Sequence, residues 1–159
     1  MTQYQTIFIA EPGKQDITIV REFDAPREKV FRAFTEVEWL VQWLLPTDMG
    51  MALDYRDNRT GGAYRYLLPG PGGSQTGIFG VIHEISSPER MIQTFEYEGL
   101  PERGHVVLET TRFEALPGNR TRVTILRLCE SEAFRDGMFQ AGMEPMTTAL
   151  HQRLDEALL

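Results

Sequence analysis

The stretch from about Leu53 to Cys129 constrains the fold most, because glycine and proline clusters cut it at regular intervals into six segments. Strands are expected near 53–57, 63–68, 77–86, 90–98, 105–115 and 120–129. The breaks are Thr60-Gly61-Gly62, the run Pro69-Gly70-Pro71-Gly72-Gly73-Ser74, Ser87-Pro88-Glu89, Gly99-Leu100-Pro101 and Pro117-Gly118-Asn119, all built from residues that favour turns. Connections this short make neighbouring strands antiparallel. A meander of this kind must cover one face with another layer, and the two ends of the chain supply it.

Both ends change period. Over residues 16–24, Ile17, Ile19, Arg21 and Phe23 alternate with Thr18, Val20 and Glu22, which predicts a further strand. Helical spacing follows: Pro26 suits a first turn, and Val30, Phe31, Ala33 and Phe34 form a stripe. Thr35 is expected to cap a second short helix through Trp39, Leu40 and Trp43, stopping before Pro46. From about Ser131, the residues Phe139, Met143, Met146, Leu150, Leu154 and Leu158 share one helical face. From Asp136 that helix would span roughly 35 Å at 1.5 Å per residue. Gly142 and Pro145 interrupt it: either the helix kinks near 141–145, or its regular part begins at Pro145. The order predicts an α+β fold, a curved antiparallel sheet around a long C-terminal helix, in a single domain 1–159 with its core in about 16–158. The gap between sheet and helix is the expected ligand site.

Lys and Arg number 16 against 23 Asp and Glu, a net charge of −7, which argues against nucleic-acid or anionic-membrane partners. No basic and apolar leader opens the chain, and its most apolar run, Trp39 to Leu45, is far short of the roughly 20 residues of a membrane span. The lone cysteine, Cys129, forms no internal disulfide and fits a reducing compartment. A cytoplasmic location is expected. His83, His105 and His151 have no metal-ligand spacing, so no metal is expected. Gly72-Gly73-Ser74-Gln75-Thr76-Gly77 lacks the Lys and the following helix of a phosphate loop, so no nucleotide cofactor is expected either.

The opening REFDAPREKVFRAFTE, with the Trp-containing short helix after it, resembles the activator-of-Hsp90-ATPase-like branch of the START/Bet v 1 (SRPBCC) superfamily. Further stretches are similar to one bacterial subgroup. They are Asp57-Asn58-Arg59-Thr60-Gly61-Gly62 with Tyr64-Arg65-Tyr66, Ser87-Pro88-Glu89-Arg90, Thr94-Phe95-Glu96-Tyr97-Glu98-Gly99, Arg135-Asp136-Gly137-Met138 and Gly142-Met143-Glu144. The resemblance covers about residues 16–158 and implies the helix-grip fold, β-α-α-β₆-α. It implies binding of hydrophobic or aromatic small molecules under the last helix; some members of the superfamily are cyclases, and many are dimers. The Hsp90 link belongs to a eukaryotic protein with an additional domain, so co-chaperone activity is not carried across. Many relatives have Gly-Trp where this chain has Gly142-Met143.

The residues expected to line the gap are Trp39, Trp43, Tyr64, Tyr66, Ile82, Phe95, Phe139 and Met143, aromatic and thioether side chains that make adaptable walls. Glu84, Glu96 and Glu109 are the sheet carboxylates to consider for proton transfer, and strand alternation puts Gly80, Ile82 and Glu84 on one face. Glu84 is the candidate base; the favoured alternative pairs it with Arg21, Arg65 or Arg90. The leading expectation is a binder of a hydrophobic or aromatic small molecule. The alternatives are a cyclase-like general acid–base enzyme and a co-chaperone-like interaction module. A homodimer is expected through an edge strand near Leu53 or the helix around Trp39. Residues 131–145 are expected to form a lid less stable than 146–159.

Overall fold

The computed structural model describes residues 4–159. Eight strands form one antiparallel sheet: β1 (Ile7–Ile9), β2 (Asp16–Phe23), β3 (Ala52–Arg56), β4 (Ala63–Pro69), β5 (Gln75–Ser86), β6 (Arg90–Tyr97), β7 (Val107–Leu116) and β8 (Arg120–Leu128). Their spatial order is β1-β2-β8-β7-β6-β5-β4-β3. Helices α1 (Arg27–Thr35) and α2 (Val37–Trp43) lie between β2 and β3, and α3 (Glu132–Gln140) and α4 (Met143–Ala157) follow β8. The fold is α+β, and each strand of the meander ends within two residues of its expected bounds.

Four local features differ from expectation. Strand β1 pairs Ile7–Ile9 with Thr18–Val20; three residues are too few to give a period. Pro26 stands outside α1 with extended backbone instead of in its first turn. Thr35 ends α1, its hydroxyl donating back to the Phe31 carbonyl at 2.9 Å, so Glu36 takes the position before α2. The long C-terminal helix is two helices, because Gly142 sits between them at φ 96°. Pro145 then lies in the first turn of α4, where no intrahelical partner needs its missing N–H.

This conformation decides the effect of one substitution. Gly142→Ala forces an L side chain into a left-handed backbone and is expected to cost about 1 kcal/mol or more. Gly137, inside α3, has open space where a Cβ would stand, so Gly137→Ala is expected to stabilise by about 0.5–1 kcal/mol. Urea unfolding of the two variants checks both signs.

Alternation along the strands gives the sheet an inner face, on which α1 lays Val30, Phe31 and Phe34. Phe113 meets Phe31 at 5.1 Å and Phe34 at 5.3 Å between ring centres. Helix α4 docks through Leu150, His151, Leu154 and, just past its end, Leu158. Arg21 forks onto Asp155 at 2.9 and 2.6 Å, which ties β2 to that helix.

His151 gives this docking a pH dependence. Its Nδ1 is 2.9 Å from the Thr6 hydroxyl and its ring stands edge-on to Phe23. Burial, and then the Arg21 and Arg127 charges, push its pKa down to about 3. The unfolded chain takes up this proton near pH 6.5 and the folded chain does not, so the contribution is full above pH 6.5 and is lost as pH falls towards 3. By pH 4 the loss is about 3 kcal/mol. Urea unfolding at pH 7, 5 and 4 should show a steeper fall for the native chain than for His151→Phe; parallel curves would contradict it.

Candidate functional site

A polar row crosses the middle of the inner face. Register places Arg127 of β8 opposite Glu109 of β7, Glu109 opposite Gln93 of β6, and Gln93 opposite Ile82 of β5. One Glu109 oxygen accepts the Arg127 Nε–H at 2.8 Å and the other accepts the Gln93 Nε2–H at 3.0 Å. The second bond fixes the orientation of the amide. Gln93 Oε1 is left buried without a partner among the described residues. Arg127 lies over the Phe95 ring at 5.4 Å, and its Nη1 is 3.3 Å from the Met143 sulfur at the start of α4.

Tyrosines extend the row towards the β3 edge. Tyr64 donates from its hydroxyl to the Thr94 carbonyl at 2.6 Å, reaching across β5 at Gly80. Its neighbour Tyr66, 4.8 Å away between ring centres, accepts Arg56 Nη1–H at 2.7 Å. Arg56 also donates to the Thr35 carbonyl and the Asn58 side chain, and pairs with no carboxylate among the described residues. Tyr97 stands edge-on to Phe95 at 5.6 Å, and its hydroxyl makes no hydrogen bond to a described residue. Burial raises the pKa of Tyr64, Tyr66 and Tyr97, with Glu109 adding to each rise. All three phenols therefore stay protonated near neutrality.

Exposure changes along this face. Ile17, Ile19 and Phe23 are fully buried, whereas Leu53, Leu68, Ile78 and Tyr97 are only partly buried, as is Met143 opposite them. The inner face is sealed near β2 and partly open from β6 to β3.

The structure gathers Tyr64, Tyr66, Ile82, Phe95 and Met143 around the row and places the other expected residues elsewhere. Trp43 packs on Phe34 at 4.8 Å and donates its N–H to the Ala33 carbonyl. Trp39 is half-buried beside Lys29, and Phe139 stands edge-on to Phe8 of β1 at 6.3 Å. A bulge between Ile82 and Glu84 shifts the register, so Glu84 faces outward opposite Ile92. There it accepts from Arg90 at 2.7 and 2.8 Å and from Ser86 at 2.8 Å. These bonds, Ser86 first, hold its carboxyl below the usual range. Glu84 thus makes the arginine pair that was the favoured alternative. Glu109 is the sheet carboxylate that faces inward.

Gln93, Arg127 and Arg56 were missed by sequence reasoning. Gln93 lies between Met91 and Phe95, and Arg127 continues Val123 and Ile125, at alternate positions of apolar strand faces. A polar residue at a core position of the period was the available signal. Among the described residues no cluster of His, Cys, Asp and Glu could hold a metal, and no helix is long and apolar enough to cross a membrane. A cleft of about 340 Å³ lies beside Phe79, Glu96, Tyr97, Glu98 and Leu100. Two of its carboxylates are engaged, Glu98 by Arg65 and Glu96 by the Gly104 N–H.

An antiparallel sheet closing on a terminal helix is the helix-grip fold. The chain belongs to the family described as Activator of Hsp90 ATPase homolog 1-like protein, whose profile matches residues 24–158. Protein Ms6760 from Mycobacterium smegmatis is similar in structure, with TM-score 0.86 and 19% identity over 98% of this chain and 97% of that one. A protein from Arthrobacter aurescens gives TM-score 0.81 and 24% identity over 96% and 90%. An HSP90 activator from Plasmodium falciparum gives TM-score 0.54 and 23% identity over 72% of each chain. No curated protein matches the chain.

Proposed function

We propose that the protein binds a small molecule with a hydrophobic or aromatic body between the sheet and α4. The observation that carries this is the partly open inner face at Leu53, Leu68, Ile78 and Tyr97, next to an aromatic and thioether wall. A fully packed core would seal these positions as it seals Ile17 and Ile19. An acid–base role is the weaker reading, because both Glu109 oxygens are already bonded. The test uses N-phenyl-1-naphthylamine, a neutral apolar fluorophore. Saturable enhancement, weakened several-fold by Met143→Glu, supports the reading; no saturable binding of this probe or of its sulfonated analogue overturns it.

The outer face favours assembly as a further role. Leu126, Leu128 and Leu108 lie on the adjacent strands β8 and β7, with Ile9 of β1 beyond Thr18 of β2, and all four are 40–46% exposed, a cluster of the kind that marks interfaces. We place a homodimer contact there, not at Leu53 or Trp39, both of which are half-buried. Sedimentation at about 50 μM, a dissociation constant equivalent to about 6 kcal/mol, should show dimer; a monomer at that concentration removes the contact.

A further inference from the structure

We infer that the molecule held on this face is a monoanion, its carboxylate or sulfonate seated on Arg127 and Tyr97 and its apolar body lying along Phe95 and Met143. The inference rests on the binding reading above and adds the charge of the occupant.

Charge on the inner face comes first. Arg21 is matched by Asp155. Around the polar row, Arg127 is paired with Glu109, and Arg56, partly exposed towards the β3 edge, bonds the Tyr66 hydroxyl and has no carboxylate partner among the described residues. A chain of net charge −7 thus keeps an excess of one positive charge around this row. A bound anion is attracted by that excess, and a cation is repelled by it.

The free donors of Arg127 say where the anion sits. A guanidinium carries five N–H donors. Nε is used on Glu109, Nη1 meets only the weakly accepting Met143 sulfur, and Nη2 has no partner among the described residues. The side chain keeps 19% of its surface accessible. The Nη1–Nη2 edge therefore presents the fork that accepts two oxygens of one carboxylate. Glu109 and the Phe95 ring hold the guanidinium in place, so little order is lost when the anion arrives.

The hydroxyl of Tyr97 supplies a further donor. It is unpartnered, and it interacts electrostatically with Arg127. Two guanidiniums repel a cationic ligand. A dianion would exceed the single uncompensated charge and face Glu109. A monoanion satisfies both the charge and the free donors.

The experiment compares matched pairs on the full chain. 1-Anilinonaphthalene-8-sulfonate is N-phenyl-1-naphthylamine with a sulfonate added, and decanoate and 1-decanol share a chain length. The sulfonate probe should bind at least ten-fold tighter than the neutral one, and decanoate should displace it where 1-decanol does not. In E109Q/R127M, which removes both partners together, the preference for the sulfonate probe over the neutral one should fall at least ten-fold. Tyr97→Phe should weaken the sulfonate probe about three-fold. Equal binding of both probes, or displacement by 1-decanol as readily as by decanoate, overturns the anion proposal and leaves the binding reading standing. Failure of the neutral probe together with the anions overturns both. The decanoate and decanol comparison needs no variant, so an unfolded double variant does not remove the test.

Discussion

Gly80→Ala is expected to destabilise the protein by about 3–5 kcal/mol, enough to leave much of the chain unfolded. A Cβ at this position would stand 1.8 Å from the Thr94 carbonyl oxygen and 2.9 Å from the Tyr64 hydroxyl. Those two atoms are bonded to each other, so the new methyl enters the space of an existing hydrogen bond. The Val81 N–H is likewise directed at the Thr94 hydroxyl at 3.2 Å. Because the Cβ meets both atoms, accommodation requires β5 to move away from β6 and Tyr64 to withdraw. The first overpacks a sheet interior at about 1–3 kcal/mol; the second leaves a buried phenol and carbonyl unpaired, at a similar cost. Tyr64→Phe alone should cost only about 1–2 kcal/mol. Urea unfolding of both variants tests this, and a Gly80→Ala midpoint within error of the native chain would contradict the close approach.

Gly80 also shows how far the sequence could be read. A glycine inside a strand signals a close approach, but not by which group; here the protein's own Tyr64 fills the space. The meander was legible because each turn is written in Gly, Pro, Asn or Ser, whose backbone preferences act locally. The bulge at Ile82/Glu84 was not, because one extra residue inverts the face of everything after it without leaving a mark in composition. At the other end, Gly142 and Pro145 announced a break, and only the positive φ of Gly142 decided between a kink and two helices. The polar row is non-local: Glu109 is 16 residues from Gln93 and 18 from Arg127. Glu109 could be singled out by itself, but its partners follow only from strand register.

Arg127→Met is expected to cost about 3–5 kcal/mol, because it leaves the Glu109 carboxylate, 8% exposed, with the Gln93 amide as its remaining partner. Glu109→Gln leaves the Arg127 guanidinium without a counter-charge; since 19% of that side chain reaches solvent, its cost should be less, about 2–3 kcal/mol. The double variant E109Q/R127M should lie within about 1 kcal/mol of the native chain, because a neutral amide and a thioether beside Met143 leave no charge buried. The coupling between the two positions is then at least about 4 kcal/mol. Urea unfolding of the four proteins measures it, and a double variant costing the sum of the singles would show the two residues to be independent. The expected near-neutrality of the double variant bears on function. A buried ion pair that can be replaced at little cost in stability is not needed to hold the fold. What the replacement removes is the fixed fork of N–H groups on the inner face, so the same variant should keep its stability and lose its preference for an anionic ligand.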